Sequence, residues 1–318
     1  MDGFAHGCAD LALSIYEQAL SSQWFGDCRA ELGWSGGGGL FSPALTIWLG
    51  IRGRMGGVSS VEHTWLSCSV EEACRLSPKS SRAKGGSLSA HASGYDYARR
   101  NLPLAVAIAA SDHLFQELRT SLNSPKQGWF LLDGSTLSLK HSPELAKAYP
   151  PAENQYGPCH WPLLKLVVAH ELSTGLAIRP EWGPMYGPNA MSEQELAHRA
   201  AQRIPVQHGI IADRNFGVFQ IAWLLKDRPM LVRLTDSRAK PLVRANLEQD
   251  LDVLKRWAPT AWDRKSNPDL PKDASVSGRV VIRHVIGPKG ERVSVPIYER
   301  PREFSRDARR TLYRTLEH

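Results

Sequence analysis

Trp129-Phe130-Leu131-Leu132-Asp133-Gly134-Ser135-Thr136 and, 80 residues later, Gly209-Ile210-Ile211-Ala212-Asp213-Arg214-Asn215-Phe216 share one design, an apolar run ending in an aspartate. A short continuous apolar run reads as a strand buried on both faces. The acid at its tip cannot follow it inside, because an unpaired buried carboxylate costs several kcal/mol. Two such acids at the tips of neighbouring strands face each other, and like charges that close call for a cation. Oxygen-only donors suit Mg²⁺ or Mn²⁺. Asp133 and Asp213 are therefore the candidate metal-binding and catalytic residues. Each also has a plainer reading. Asp-Gly is a frequent turn dipeptide, and an aspartate before a helix is a favoured N-cap.

Working outward, the hydrophobic period predicts strands at 129–133, 165–169, 176–179, 209–213 and 230–234. Ser192-x-x-Glu195 is a capping box that opens a helix to about residue 202. Another helix is expected over 216–226. Residues 279–283 and 293–298 flank Gly287-Pro288-Lys289-Gly290 and read as a hairpin. Strands followed by alternating helix and strand predict an α/β layered domain with a mixed sheet, over 126–318. Residues 1–125 read as a separate helical domain. Helices are expected at 8–20, at 43–56 with Pro43 in the first turn, and over 95–118 with a break at Pro103. The glycine run 36–39 reads as a loop. It lacks the Lys-Ser/Thr pair of a phosphate-binding loop. The Ser-, Lys- and Gly-rich stretch 70–93 reads as an exposed linker.

The chain has 318 residues and a net charge of +7. From Lys226 onward there are 21 Lys and Arg against 13 Asp and Glu, and before it 18 against 19, so the excess positive charge lies in the last third. Such a region suits a polyanion, of which nucleic acid is the commonest. Five cysteines without a C-x-x-C pair suggest neither a disulfide framework nor a zinc ribbon. No basic leader precedes an apolar stretch, and no apolar run approaches the ~20 residues that span a bilayer. A cytoplasmic, nucleoid-associated protein with reduced thiols and no membrane partner is expected. Trp129, Trp161, Trp182 and Trp223 read as core.

The two aspartate segments, in this order and context, resemble the DDE transposases of bacterial insertion sequences, of the insertion-sequence-four type. Leu-Leu-Asp133-Gly-Ser-Thr is similar to the strand with that family's first catalytic aspartate. Ile-Ile-Ala-Asp213-Arg-Asn-Phe216-Gly217 is similar to the second, with an aromatic three residues after the acid. Gly94-Tyr-Asp-Tyr-Ala-Arg-Arg-Asn-Leu-Pro103 resembles part of the helical N-terminal, DNA-binding domain. The resemblance implies a ribonuclease H-like sheet with flanking helices and a β-rich insertion at about 233–300. It implies two divalent ions about 4 Å apart, hydrolysis of DNA strands and strand transfer. It also implies double-stranded DNA carrying terminal inverted repeats as partner, and a homodimer on DNA. Ser135, Thr136 and Asn215 would support the metal site. Arg214, Arg300, Arg302, Arg306, Arg309, Arg310, Tyr313 and Arg314 would face DNA. The family's third acid lies on a later helix in the pattern Tyr-x₂-Arg-x₃-Glu-x₆-Lys. Counted from Tyr313, the arginine position holds Leu316 and the glutamate would fall at 320, past residue 318. The expectations are a truncated or frameshifted transposase, an inactive DNA-binding remnant, or another nuclease drawing a third acid from Glu171 or Asp227.

Overall fold

The computed structural model describes residues 2–34, 39–55, 60–86, 88, 91–244 and 246–300. The chain divides into two compact units, Met1–Leu122 and Asn123–His318.

The first unit is helical, with α1 (Asp2–Ala19), α2 (Ser22–Leu32), α3 (Pro43–Met55), α4 (Val61–Leu66), α5 (Val70–Leu76), α6 (Ser81–Lys84), α7 (Ser93–Asn101) and α8 (Leu104–Ser121). Pro43 starts α3, where its missing N–H is no loss. Pro103 separates α7 from α8, since a proline there biases the preceding residue out of helical geometry. Leu13, Tyr16, Leu20, Leu45, Trp48, Leu49 and Trp65 form the core. The stretch 70–93 is not a linker, because it carries α5, α6 and the start of α7. Its hydrophilic residues are structural: Ser69 and Ser80 cap α5 and α6. Glu72 is buried and accepts from Trp48 Nε1 at 3.1 Å and Arg52 Nη1 at 2.7 Å. Composition alone cannot distinguish such caps and buried posts from solvated linker residues.

The second unit is α/β, a mixed sheet with flanking helices. In chain order it holds β1 (Trp129–Ser138), α9 (Pro143–Ala148), β2 (Pro151–Asn154), β3 (Gly157–Glu171), β4 (Glu181–Pro184), α10 (Glu193–Arg203), β5 (Gly209–Ala212), α11 (Phe219–Leu224), β6 (Met230–Arg233), α12 (Asp236–Val243), β7 (Leu251–Trp257), α13 (Ala261–Ser266), β8 (Val276–Ile286) and β9 (Arg292–Arg300). The sheet order is β2-β3-β1-β5-β6-β9-β8-β7, with β4 also paired to β3. The β1–β5 and β5–β6 ladders are parallel, and the other ladders are antiparallel. Every residue of β5 is buried, as expected for a central parallel strand. Burial of Ile210 and Ile211 contributes roughly 1.5–3 kcal/mol each. Helix α10 buries Leu196, Ala197, Ala200 and Ala201 and packs on β1, β3 and β4.

Two sequence expectations change, for residues 176–179 and for the end of β1. Residues 176–179 are not a strand. They return along β3 through one bridge, His170–Ala177, and the short strand falls later, at β4. The β-rich segment about 233–300 joins the central sheet. Strand β9 pairs with β6 from Met230–Arg300 to Arg233–Ile297, so β7–β9 extend the central sheet. Strand β1 does not stop at Asp133, because β3 stays paired to it through Ser138.

Candidate metal centre

The parallel ladder between β1 and β5 sets the site. Trp129, Phe130, Leu131 and Leu132 stand in register with Gly209, Ile210, Ile211 and Ala212. The next residue on each strand is aspartate. Asp133 and Asp213 are thus neighbours at the end of the ladder, on strands about 4.8 Å apart. Below them the apolar pairs hold the strands. Above them β5 gives way to a loop.

Local bonds fix each carboxylate. Asp133 is exposed, and its Oδ1 accepts the Gly134 N–H at 2.9 Å. Asp213 Oδ1 accepts the Asn215 N–H at 2.9 Å, and its carbonyl accepts the Phe216 N–H at 3.2 Å. This is a turn closed by the aspartate side chain, not a helix cap; α11 begins later, after Val218. Phe216 is fully buried and pins the loop. A Cβ on Gly217 would lie 2.5 Å from the Arg233 carbonyl oxygen, so the loop passes too close to β6 for a side chain there. Nor is Asp133-Gly134 a turn, since both residues are strand, paired with Val168 and Val167.

A third acid reaches this edge from α10. A Cβ on Gly134 would lie 1.8 Å from Glu193 Oε1, so the Glu193 carboxyl rests where that side chain would be. Burial raises the Glu193 pKa, Asp213 and to a lesser extent Asp133 raise it further, and Lys165 on β3 opposes them. Sequence reading missed both Glu193 and Lys165. Glu193 follows the helix cap Ser192, a position where an acid is ordinary, and only the fold brings it to the aspartates.

Mg²⁺ is commonly held by one or two carboxylates, its own waters and substrate phosphates. Asp133 and Asp213 fit that open mode. Among the described residues, no three His, Cys, Asp or Glu side chains stand together in a group that could hold a metal. A closed cage of three acids is therefore not formed by them.

The other site residues differ in placement. Ser135 and Thr136 continue β1 and are exposed, with Thr136 Oγ1 4.0 Å from Met185 Sδ. Asn215 acts through its main chain, and its carbonyl accepts from Gln194. Arg214 is exposed, and its carbonyl accepts from Arg238 Nη1 at 2.7 Å. Arg300, expected at DNA, has its guanidinium engaged within the fold. Its guanidinium donates to the carbonyls of Ala222 and Arg228, which ties β9 to α11 and to the segment that follows it. Arg302, Arg306, Arg309, Arg310, Tyr313 and Arg314 lie outside the described residues, as do glycines 36–38. Glu171 is unsuited as a third acid. It pairs with Phe130, three residues back along β1 from Asp133, and is buried against Ser124, Thr174 and His208. Asp227 precedes β6 and so lies at the opposite end of the parallel strands. Trp161 is 52% exposed rather than core. No helix among the described residues is long and apolar enough to cross a membrane.

No family model matches the chain, and no curated protein matches it.

The Glu193 environment gives a pH prediction. Its folded pKa is raised, so the folded state holds this proton more tightly than the unfolded chain does. The corresponding stability is fully present below the unfolded glutamate pKa and is lost as pH rises through the folded one. Glu193→Gln should therefore unfold at a higher temperature than the parent at neutral pH, with the gap closing in acid. Thermal unfolding across this range checks it, and an equal gap at all pH values would refute it.

Proposed function

We propose that this chain is a metal-dependent DNA strand-cleaving and strand-transferring protein of the DDE transposase kind. The observation that carries the reading is the placement of Asp133 and Asp213 next to each other at the end of one parallel ladder. The five-strand unit β4-β3-β1-β5-β6, antiparallel then parallel, is compatible with the ribonuclease H-like sheet that the reading requires.

Each residue has a role. Asp133 and Asp213 would hold Mg²⁺, or Mn²⁺, through the carboxylate oxygens not already turned to Gly134 and Asn215. When bound, the ion supplies a Lewis acid for phosphodiester chemistry. The Asn215 N–H and buried Phe216 hold the Asp213 carboxylate in place, so little ordering remains to be done on binding. Lys165 offsets the negative charge that Glu193 adds to the edge. The substrate is double-stranded DNA at the inverted repeats of an insertion sequence, bound by a homodimer in the cytoplasm.

The test is cleavage of supercoiled and linear DNA carrying candidate ends, with Mg²⁺ or Mn²⁺. Nicked or cut product that disappears on chelation supports the reading. A second reading, an inactive DNA-binding remnant, is favoured by the missing three-acid group among the described residues. It predicts salt-sensitive DNA binding with no cleavage under either metal.

A further inference from the structure

Among the described residues of the last third, the cations differ in how they are partnered. On β8 two arginines are neutralised: Arg279 pairs with Asp252 and Glu299, and Arg283 with Asp250. Arg300 is spent on main-chain carbonyls. Four other cations, Arg238, Arg244, Lys255 and Arg256, line one cavity of about 650 Å³ between α12, β7 and α13. Among the described residues none of the four is ion-paired. Arg238 donates to the Arg214 carbonyl and Arg256 to Ser275 Oγ, both neutral acceptors. The one acid lining the cavity, Asp263, is buried and committed to capping α13 through Thr260.

Two further features belong to this cavity. Arg244 is held in left-handed geometry, with φ 53° and ψ 39°, at the end of α12. Glycine or asparagine is the usual residue there, and a long side chain costs on the order of 1 kcal/mol in that geometry. Trp262, on α13, is 70% exposed. Four cations gathered without counter-charge repel one another, and the repulsion is relieved by an anion with several charges.

We propose that this cavity is a binding groove for the phosphodiester backbone of the DNA substrate, leading it to Asp133 and Asp213. The proposal rests on the strand-cleavage reading for its substrate. Its geometry is independent of the metal. The link is Arg238, which lines the cavity and bonds the carbonyl of the residue after Asp213. A polynucleotide, with one phosphate per nucleotide, spans the cations in succession. A single free phosphate neutralises only part of them.

The experiment measures affinity of the full chain for a labelled duplex of arbitrary sequence across a salt series without metal. For a polyanion groove, log K falls linearly with log salt, by about 0.9 for each phosphate neutralised. The double variant Arg244→Ala/Lys255→Ala should bind at least tenfold more weakly, with a slope shallower by about 2. Arg283→Ala, which removes a paired cation, should leave the slope unchanged. Competition with pyrophosphate separates the possible sources: a polynucleotide groove resists it, and a small-anion pocket yields to it at low concentration. An unchanged slope in the folded double variant overturns the proposal, as does displacement of DNA by micromolar pyrophosphate. Fold is checked by the unfolding temperature. Absence of cleavage by the parent chain, with the slope change intact, would count against the strand-cleavage reading alone.

Discussion

Asp213→Asn should reduce Mg²⁺-dependent DNA cleavage by on the order of 10³-fold while leaving the fold intact. The asparagine keeps a side-chain oxygen where Oδ1 accepts the Asn215 N–H, so the turn that carries Phe216 persists. It removes the charge that would hold the metal. Asp133→Asn should behave alike, since its Oδ1 is needed only by the Gly134 N–H. Metal linkage gives a second readout that does not depend on finding the right DNA. A ligand that binds only the folded state stabilises it by about 2.7 kcal/mol at one hundred times its dissociation constant. Mg²⁺ should therefore raise the unfolding temperature of the parent, and the rise should vanish in either asparagine variant. Unlike these, Asp213→Ala also loses the turn bond, and about 1 kcal/mol of stability with it. If both asparagine variants keep the full Mg²⁺-induced rise, the two aspartates are not the metal ligands.

The central sheet was legible in the sequence because it is written in strong local terms. Residues 129–132 and 209–212 are continuous apolar runs, and such runs have few other homes than buried parallel strands. Their register, which makes neighbours of the two aspartates, was not legible, because pairing depends on elements far apart in the chain. The same limit hid Glu193. Its residue type at the start of a helix is unremarkable, and its placement over Gly134 arises from how α10 packs across β1 and β3. The internal bonds of Arg300 were hidden in the same way. An arginine in a basic stretch reads as a DNA contact, whereas main-chain carbonyls of Ala222 and Arg228 had already claimed its donors. The gathering of four cations around the α12–β7–α13 cavity was not legible either, because those elements meet only in the fold.

Glu171→Ala should cost on the order of 3–5 kcal/mol of stability and leave cleavage per folded molecule unchanged. Glu171 and His208 are both 0% exposed, with Glu171 Oε1 and His208 Nε2 3.9 Å apart. Ser124 Oγ and Thr174 Oγ1 donate to Glu171 Oε2 at 2.8 and 2.7 Å. His208 also contacts the Pro125 carbonyl at 3.2 Å and stands edge-on to the buried Phe130 ring. The carboxyl therefore joins the segment before β1, the end of β3 and the residue preceding β5. Removing it leaves polar donors facing a cavity that water cannot fill cheaply, which is where the large cost arises. Glu171→Gln should recover part of the loss, because the amide oxygen still accepts from Ser124 or Thr174. These outcomes distinguish a structural acid from a third metal ligand, the role that a ribonuclease H-like nuclease of another family would give it. A ligand variant keeps its stability and loses cleavage. A structural variant loses stability and, cooled until folded, cuts like the parent. Denaturant midpoints and cleavage rates at low temperature decide between them. A stable, inactive Glu171→Ala protein would move the reactive edge to the other end of the β1–β5 ladder.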